Sequence, residues 1–383
     1  VATRRAPRVP VGGGMKARRS PASAAPAGGA TFELAASVAV QVDGFVLGAA
    51  FAGDGFFAAT GEGALYGFAE DGAVRFTRPT AHDGILAFAV SPDGAAVVTG
   101  GQDGCARLWR LDGTEIARLP AKAAWVEHVA WRGDGAEIAT AGGRVVLLWR
   151  PDGTPLLETP PLPSTVTGLA YLADGSLLAS CYGGVHRIWE GKLSHALPWA
   201  GSLLGVVPSP TNTVVASPTQ EQSIHFWRLN ARSDGKFGSR SESNMQGYPF
   251  KPTVLAWDGH GNLLASSGSS SVTIWDFRGA GPEGTRPISL EGIDRRGGAG
   301  VGHVGLVTAL QFSPRKALLA SGSEDGSVLL WEPLAKRDPA RSSEGPRPVR
   351  FAFLDGAVSV LAFATDGRLL AASSTGEVQI FSI

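Results

Sequence analysis

The chain has 383 residues, 44% hydrophobic and 18% charged, with 34 basic and 34 acidic side chains. It has no apolar run of about 18 residues, which excludes a membrane-spanning helix, and two cysteines are too few for a disulfide framework. The zero net charge hides an asymmetry. Residues 1–30 hold six bases and no acid, so the rest of the chain carries a net charge of about −6, poorly suited to gripping a phosphate backbone.

In chain order, the first element is the basic stretch 1–30 (Arg4, Arg5, Arg8, Lys16, Arg18, Arg19), rich also in Ala, Pro and Ser. It lacks the apolar core of a secretory signal and reads as a disordered tail. A second reading is an organellar transit sequence, and Met15 is an alternative start. The cysteine usage suits a reducing compartment, so the expected location is cytoplasmic, or organellar if 1–30 is a transit sequence. Residues 31–41, TFELAASVAVQ, have strand character.

From there to the end one pattern repeats eight times. Each unit has an apolar strand, a tight turn, a second apolar strand ending in small residues, another turn, and a strand ending in an aromatic. The terminal aromatics are Phe68, Trp109, Trp149, Trp189, Trp227, Trp275, Trp331 and Phe381, at intervals of 38 to 56 residues. The first turns are marked by Asp54-Gly55, Asp93-Gly94, Asp134-Gly135, Asp174-Gly175 and Asp366-Gly367, because Asp and Gly tolerate the left-handed backbone of a hairpin turn. A period near 40 fits four short strands per unit and hence an all-β fold of radiating blades. The last unit shows only three strands, and an open blade would leave an unpaired edge. Residues 31–41 are therefore expected to supply its outer strand and to join the two ends of the ring. That makes eight blades; seven is the alternative if the degenerate first unit is not a blade.

The segments 302–331 (GHVGLVTALQFSPRKALLASGSEDGSVLLW) and 82–109 (HDGILAFAVSPDGAAVVTGGQDGCARLW) make the pattern specific. They resemble the WD40 family, whose units open near Gly-His, as at Gly302-His303, and close on Trp-Asp, as at Trp275-Asp276. The likeness covers roughly 31–383 and implies an eight-bladed WD40-type β-propeller. It further implies a structural tetrad of His, Ser or Thr, Asp and Trp in two units. These are His303, Ser321, Asp325 and Trp331 in the seventh, and His82, Thr99, Asp103 and Trp109 in the second. A hydrogen-bond chain from indole through hydroxyl and imidazole to carboxylate would satisfy polar groups that the blade buries. The other six units lack the full set and are expected to rely mainly on apolar packing.

No catalytic or metal-ligand constellation is legible. The seven histidines have no metal-ligand spacing, no Gly-x-Ser-x-Gly elbow occurs, and no phosphate loop is present. No cofactor is expected. The long connections 230–250, 278–302 and 333–350 read as surface loops. One face of the ring is expected to present the positions just before and within each first strand, and those at each second turn. There Phe45, Trp125, Glu127, Lys251, Gln102, Tyr182 and Glu324 are the candidate partner-binding residues, with Trp125 foremost. Phe45, Leu47, Leu86 and Leu204 could instead turn inward and pack the blades. The function expected is a non-catalytic scaffold that binds a protein or peptide on this face. The alternative is a propeller enzyme, lactonase- or quinoprotein-like, with a site in the central channel. Against it, the first strands VLGAAF, ILAFAV, VTGLAY and LLGVVP offer few polar groups. No small-molecule substrate or membrane is expected, and the net negative charge argues against nucleic acid.

Overall fold

The computed structural model describes residues 32–230, 237–291, 302–334, 346 and 348–383. The basic segment 1–30, with the tail and transit readings attached to it, lies outside the described residues, as do parts of the three long connections. Every regular element among the described residues is a β-strand. The strands form eight sheets, with inner strands Val46–Ala52, Ile85–Val90, His128–Trp131, Gly168–Tyr171, Val207–Pro208, Leu255–Trp257, Val307–Phe312 and Val358–Phe363. Neighbouring inner strands abut around the ring, and Val358–Phe363 closes on Val46–Ala52. The fold is an eight-bladed β-propeller.

Burial explains the residue pattern of each blade. The second strands Ile138–Gly142, Leu319–Ser323 and Leu369–Ser373 are buried at every position. They are covered on both faces by adjacent blades, so they do not alternate. The outer strand Pro155–Glu158 is mostly exposed. The first turn of blade 2 shows the local chemistry. Gly94 takes φ +69° and donates to Ser91 O at 2.8 Å, while Asp93 Oδ1 accepts the Ala95 N–H at 3.0 Å. Asp134-Gly135 and Asp366-Gly367 repeat this arrangement in blades 3 and 8.

Three expectations need correction. Residues 31–41 do not act as one outer strand. Ala36–Gln41 pairs antiparallel with Glu377–Phe381 and completes blade 8, but Phe32–Glu33 pairs parallel with Arg350–Phe353 as a fifth strand on blade 7. The chain crosses between them because Leu34 drops into the core between blades 7 and 8, beside Leu330, Leu354, Val358 and Phe381. The second correction concerns the long connections. Segments 230–250 and 278–302 contain outer strands, Ser239–Met245 of blade 5 and Ile288–Leu290 of blade 6. Third, blade 4 uses one long strand, Leu177–Trp189, for both middle positions. Its first half pairs with Gly168–Tyr171 and its second with Lys192–Ser202, and Gly183 and Gly184 between them both take positive φ.

Candidate functional site

The loops that enter the inner strands, and the turns joining second to third strands, share one face of the ring, here the upper face. Buried hydrogen-bond relays hold those loops. In blade 2 the Trp109 indole N–H donates to Thr99 Oγ1 at 2.8 Å. The Thr99 hydroxyl then has its hydrogen free for His82 Nε2, 2.8 Å away, and His82 Nδ1–H donates to Asp103 Oδ1 at 2.8 Å. The direction of this relay sets the imidazole tautomer. His82 is pushed below its ordinary pKa by burial, with Asp103 opposing. It thus remains neutral and able to accept from Thr99.

Blade 7 has the same four residues but one more link. Trp331 donates to Ser321 Oγ at 2.8 Å, Ser321 lies 2.6 Å from His303 Nε2, and His303 Nδ1 lies 2.5 Å from Ser327 Oγ. Ser327, not His303, hydrogen-bonds Asp325. The carboxylate also accepts the Val304 N–H at 2.5 Å. Asp325 therefore ties the entry loop of blade 7 to its second turn.

Two of the remaining blades, expected to rely mainly on apolar packing, add a polar link of their own. In blade 3, Trp149 donates to Thr140 Oγ1 at 3.0 Å. In blade 6, Trp275 donates to Tyr248 Oη at 2.7 Å, and Tyr248 lies 2.7 Å from Ser266 Oγ, whose hydroxyl bonds Thr273 O. Tyr248 occupies the place of the histidine, and burial pushes its hydroxyl pKa up to about 12. Spacing could have revealed it, since Tyr248 precedes Trp275 by 27 residues and His82 precedes Trp109 by the same interval. Blade 5 has no such relay: Ser217 donates to Gly205 O, and the buried Trp227 N–H has no acceptor among the described residues. Blade 4 departs furthest, with Trp189 turned toward solvent beneath the Arg187 guanidinium.

These relays make the fold acid-sensitive in a defined window. Burial lowers His303 to about 4 from the ordinary 6.5, against the pull of Asp325. The unfolded chain therefore takes up a proton between those values that the native chain refuses. The stabilisation is full above pH 6.5 and is lost as pH falls toward 4, amounting to about 3 kcal/mol. Asp325 acts in a lower window. Burial works to raise it, but Ser327 and the amides of Val304, Ser327 and Gly305 prevail and hold it at about 2. Its contribution is present above pH 3.8 and fades below. The melting temperature of the protein is expected to fall steeply from pH 7 to pH 4, and His303→Gln to flatten that slope. Parallel slopes in thermal scans of the two proteins would refute this.

The upper face presents the candidate partner residues unevenly. Phe45, Trp125 and Tyr182 project into solvent, at 43%, 52% and 58% exposure. Gln102, Lys251 and Glu324 are exposed and Glu127 is half-buried. Leu47 turns inward against Phe57, Ile85 and Trp109, and Leu86 and Leu204 are half-buried. Phe250 and Val304, in the entry loops of blades 6 and 7, are exposed on the same face and were not singled out from the sequence.

Two cavities of about 550 and 560 Å³ open on the opposite, lower face. The first is walled by the first turns of blades 8, 1 and 2, including Asp54, Asp93 and Asp366. The second lies among the strand ends Trp131, Tyr171, Val207, Trp257 and Phe312. The three aspartates are already engaged, Asp54 with Arg75, Asp93 with Ser91 and Ala95, and Asp366 with Arg368. Among the described residues no group of three or more His, Cys, Asp or Glu side chains could hold a metal ion. Cys105 and Cys181 are free and buried. Of the remaining histidines, His225 is sandwiched by Trp199 and Trp227 at 4.1 and 4.4 Å, and His186 stacks on His195 at 4.9 Å.

The family model described as WD domain, G-beta repeat matches residues 73–110, 244–276 and 299–332. The human F-box-like/WD repeat-containing protein TBL1X is 33% identical over a match covering 31% of this chain and 21% of that protein. The Drosophila melanogaster LST8 homolog is 28% identical, over 37% of this chain and 38% of its own length. The matches thus span a minor part of these curated relatives. Among solved structures, the computationally designed Ika8 protein aligns with a TM-score of 0.73 at 18% identity, over 91% of this chain and 99% of that one. The C-terminal WD40 domain of Sif2 aligns at 0.70 and 17%, over 93% and 99%.

Proposed function

The chain is a WD40-repeat protein, and from that premise we propose that it is a non-catalytic scaffold that docks a protein or peptide on the upper face of its ring. Proteins of this family typically serve as protein-interaction scaffolds. The observation that carries the reading to this face is the exposure of three aromatic side chains there, Phe45, Trp125 and Tyr182. Large aromatics in water are costly unless they serve an interface, and Trp and Tyr dominate binding energy where they are desolvated. Phe45 and Trp125 sit in loops held from beneath by backbone bonds, such as Val126 N–H to Gly101 O at 2.9 Å, and Tyr182 lies within the strand Leu177–Trp189, paired with Ser202. The aromatics are thus presented on a rigid base, with little ordering entropy left for binding.

Trp125→Ala and Tyr182→Ala are each expected to fold normally and to lose about 2 kcal/mol or more of partner affinity, roughly thirtyfold. Quantitative co-purification with wild type and the two variants checks this. Retention of the full wild-type set of bound proteins by both variants would overturn the choice of face.

A further inference from the structure

We infer that the sector of the upper face above blades 1 to 3 receives a basic peptide segment, rich in arginine or lysine with apolar residues between. This rests on the docking reading above and names the chemistry of the partner. The sector is continuous. Phe45 O accepts the Gly61 N–H, Gly84 O accepts the Gln102 N–H, and Gly101 O accepts the Val126 N–H, each at 2.9 Å. A side chain added at Gly84 would meet both Gln102 and Gly61 O. Phe45 therefore stands at one end of an unbroken strip and Trp125 toward the other.

Charge along the strip is one-sided. Asp43, Glu62, Asp83 and Glu127 have no ion-pair partner among the described residues. Glu62 accepts the Phe45 N–H at 2.9 Å, which fixes a carboxylate beside an exposed ring. Asp103 is held by His82 and Arg107. The other cations nearby are engaged, Lys122 with Glu158 at 3.4 Å, Arg144 on Leu162 O at 2.6 Å and Arg118 on Cys105 Sγ at 3.0 Å. On the lower face four turn carboxylates are neutralised, Asp54 by Arg75, Asp134 by Arg132, Asp174 by Arg187, and Asp366 by Arg368, while Asp71, Asp93, Asp112 and Asp152 accept only local hydrogen bonds. Unpaired carboxylates interleaved with exposed aromatic faces suit guanidinium and ammonium groups, which gain from both the charge and the ring quadrupole. An acidic segment or a phosphate backbone would be repelled.

The test uses the full chain and fluorescein-labelled peptides of about 12 residues, alternating Arg or Lys with Leu and Ala, beside matched peptides with Glu and Asp replacing the bases. Fluorescence anisotropy is expected to show binding of the basic peptide alone, weakening several-fold between about 50 and 200 mM salt. The triple variant Glu62→Gln/Asp83→Asn/Glu127→Gln is expected to bind about tenfold more weakly. A lower-face control, Asp71→Asn/Asp152→Asn/Glu332→Gln, removes the same charge and is expected to bind like wild type. The proposal falls if the acidic peptide binds as well as the basic one, if the upper-face triple variant is unaffected, or if the control loses as much. The two readings separate cleanly. A co-purifying protein lost from Trp125→Ala but retained by the triple variant leaves the docking face standing and removes the basic partner.

Discussion

Deleting residues 1–41 is expected to destroy the cooperative fold, whereas deleting residues 1–30 is expected to leave the melting transition intact. The physical reason is the two-part clasp. Ala36–Gln41 supplies the outer strand of blade 8 through five register pairs with Glu377–Phe381. Leu34 is buried between blades 7 and 8, and Val38 and Val40 pack half-buried between blades 8 and 1. Each lost backbone pair is worth about 1 kcal/mol, and each buried Leu or Val about 2 kcal/mol. The total is on the order of 5 to 10 kcal/mol, comparable to the whole stability of an ordinary domain. The truncation also bares the edge of Glu377–Phe381, an invitation to aggregate. Circular dichroism melts and light scattering of the two truncations would show this. A soluble 42–383 chain with an unchanged transition would mean that the ring closes without its clasp.

The second large effect is at Trp331, which is fully buried against Leu263, Ile274, Val307 and Leu319 between blades 6 and 7. Trp331→Ala is expected to cost about 3–5 kcal/mol through the cavity alone. It would also interrupt the relay through Ser321 and His303 at its first donor. Trp331→Phe separates the two contributions. It keeps most of the packing but leaves Ser321 without its indole donor, for a cost of about 1–3 kcal/mol. Blade 5 provides the internal comparison, because the equally buried Trp227 has no hydrogen-bond acceptor to lose. Trp227→Phe is therefore expected to cost clearly less than Trp331→Phe in urea titrations. Equal losses would mean that the relay adds nothing beyond apolar packing.

The propeller was legible because its cause is periodic. Small buried residues on each second strand, an Asp-Gly turn before it and an aromatic at the end of the third strand are local requirements of a blade, repeated often enough to survive individual lapses. The blade 2 tetrad was readable for the same reason, since His82, Thr99, Asp103 and Trp109 stand at offsets that one blade geometry imposes. What escaped were substitutions of chemistry at conserved geometry. Tyr248 stands at the histidine's interval from the Trp, but its phenol takes the indole N–H directly, as the Thr99 hydroxyl does in blade 2, and bonds onward to Ser266. Ser327 was missed because a short hydroxyl can bridge His303 and Asp325 where direct contact was expected.

The exposure of the foremost candidate residues was legible in outline. Trp125, Tyr182 and Phe45 were placed on one face by counting from the turns, and all three are exposed there. The same count left open whether Leu47 faces out or packs inward, and it packs inward onto blade 2, since side-chain direction at a strand's first residues depends on how the neighbouring blade sits. Residue order alone thus determined the eight-bladed ring, its turns and the chemistry of its best relay, because these depend on contacts within one repeat. Tertiary structure alone decided that the clasp grips two blades, which polar groups find partners, and which carboxylates face solvent unpaired. Those outcomes depend on residues far apart in the chain meeting across blade boundaries, and no local pattern encodes such meetings.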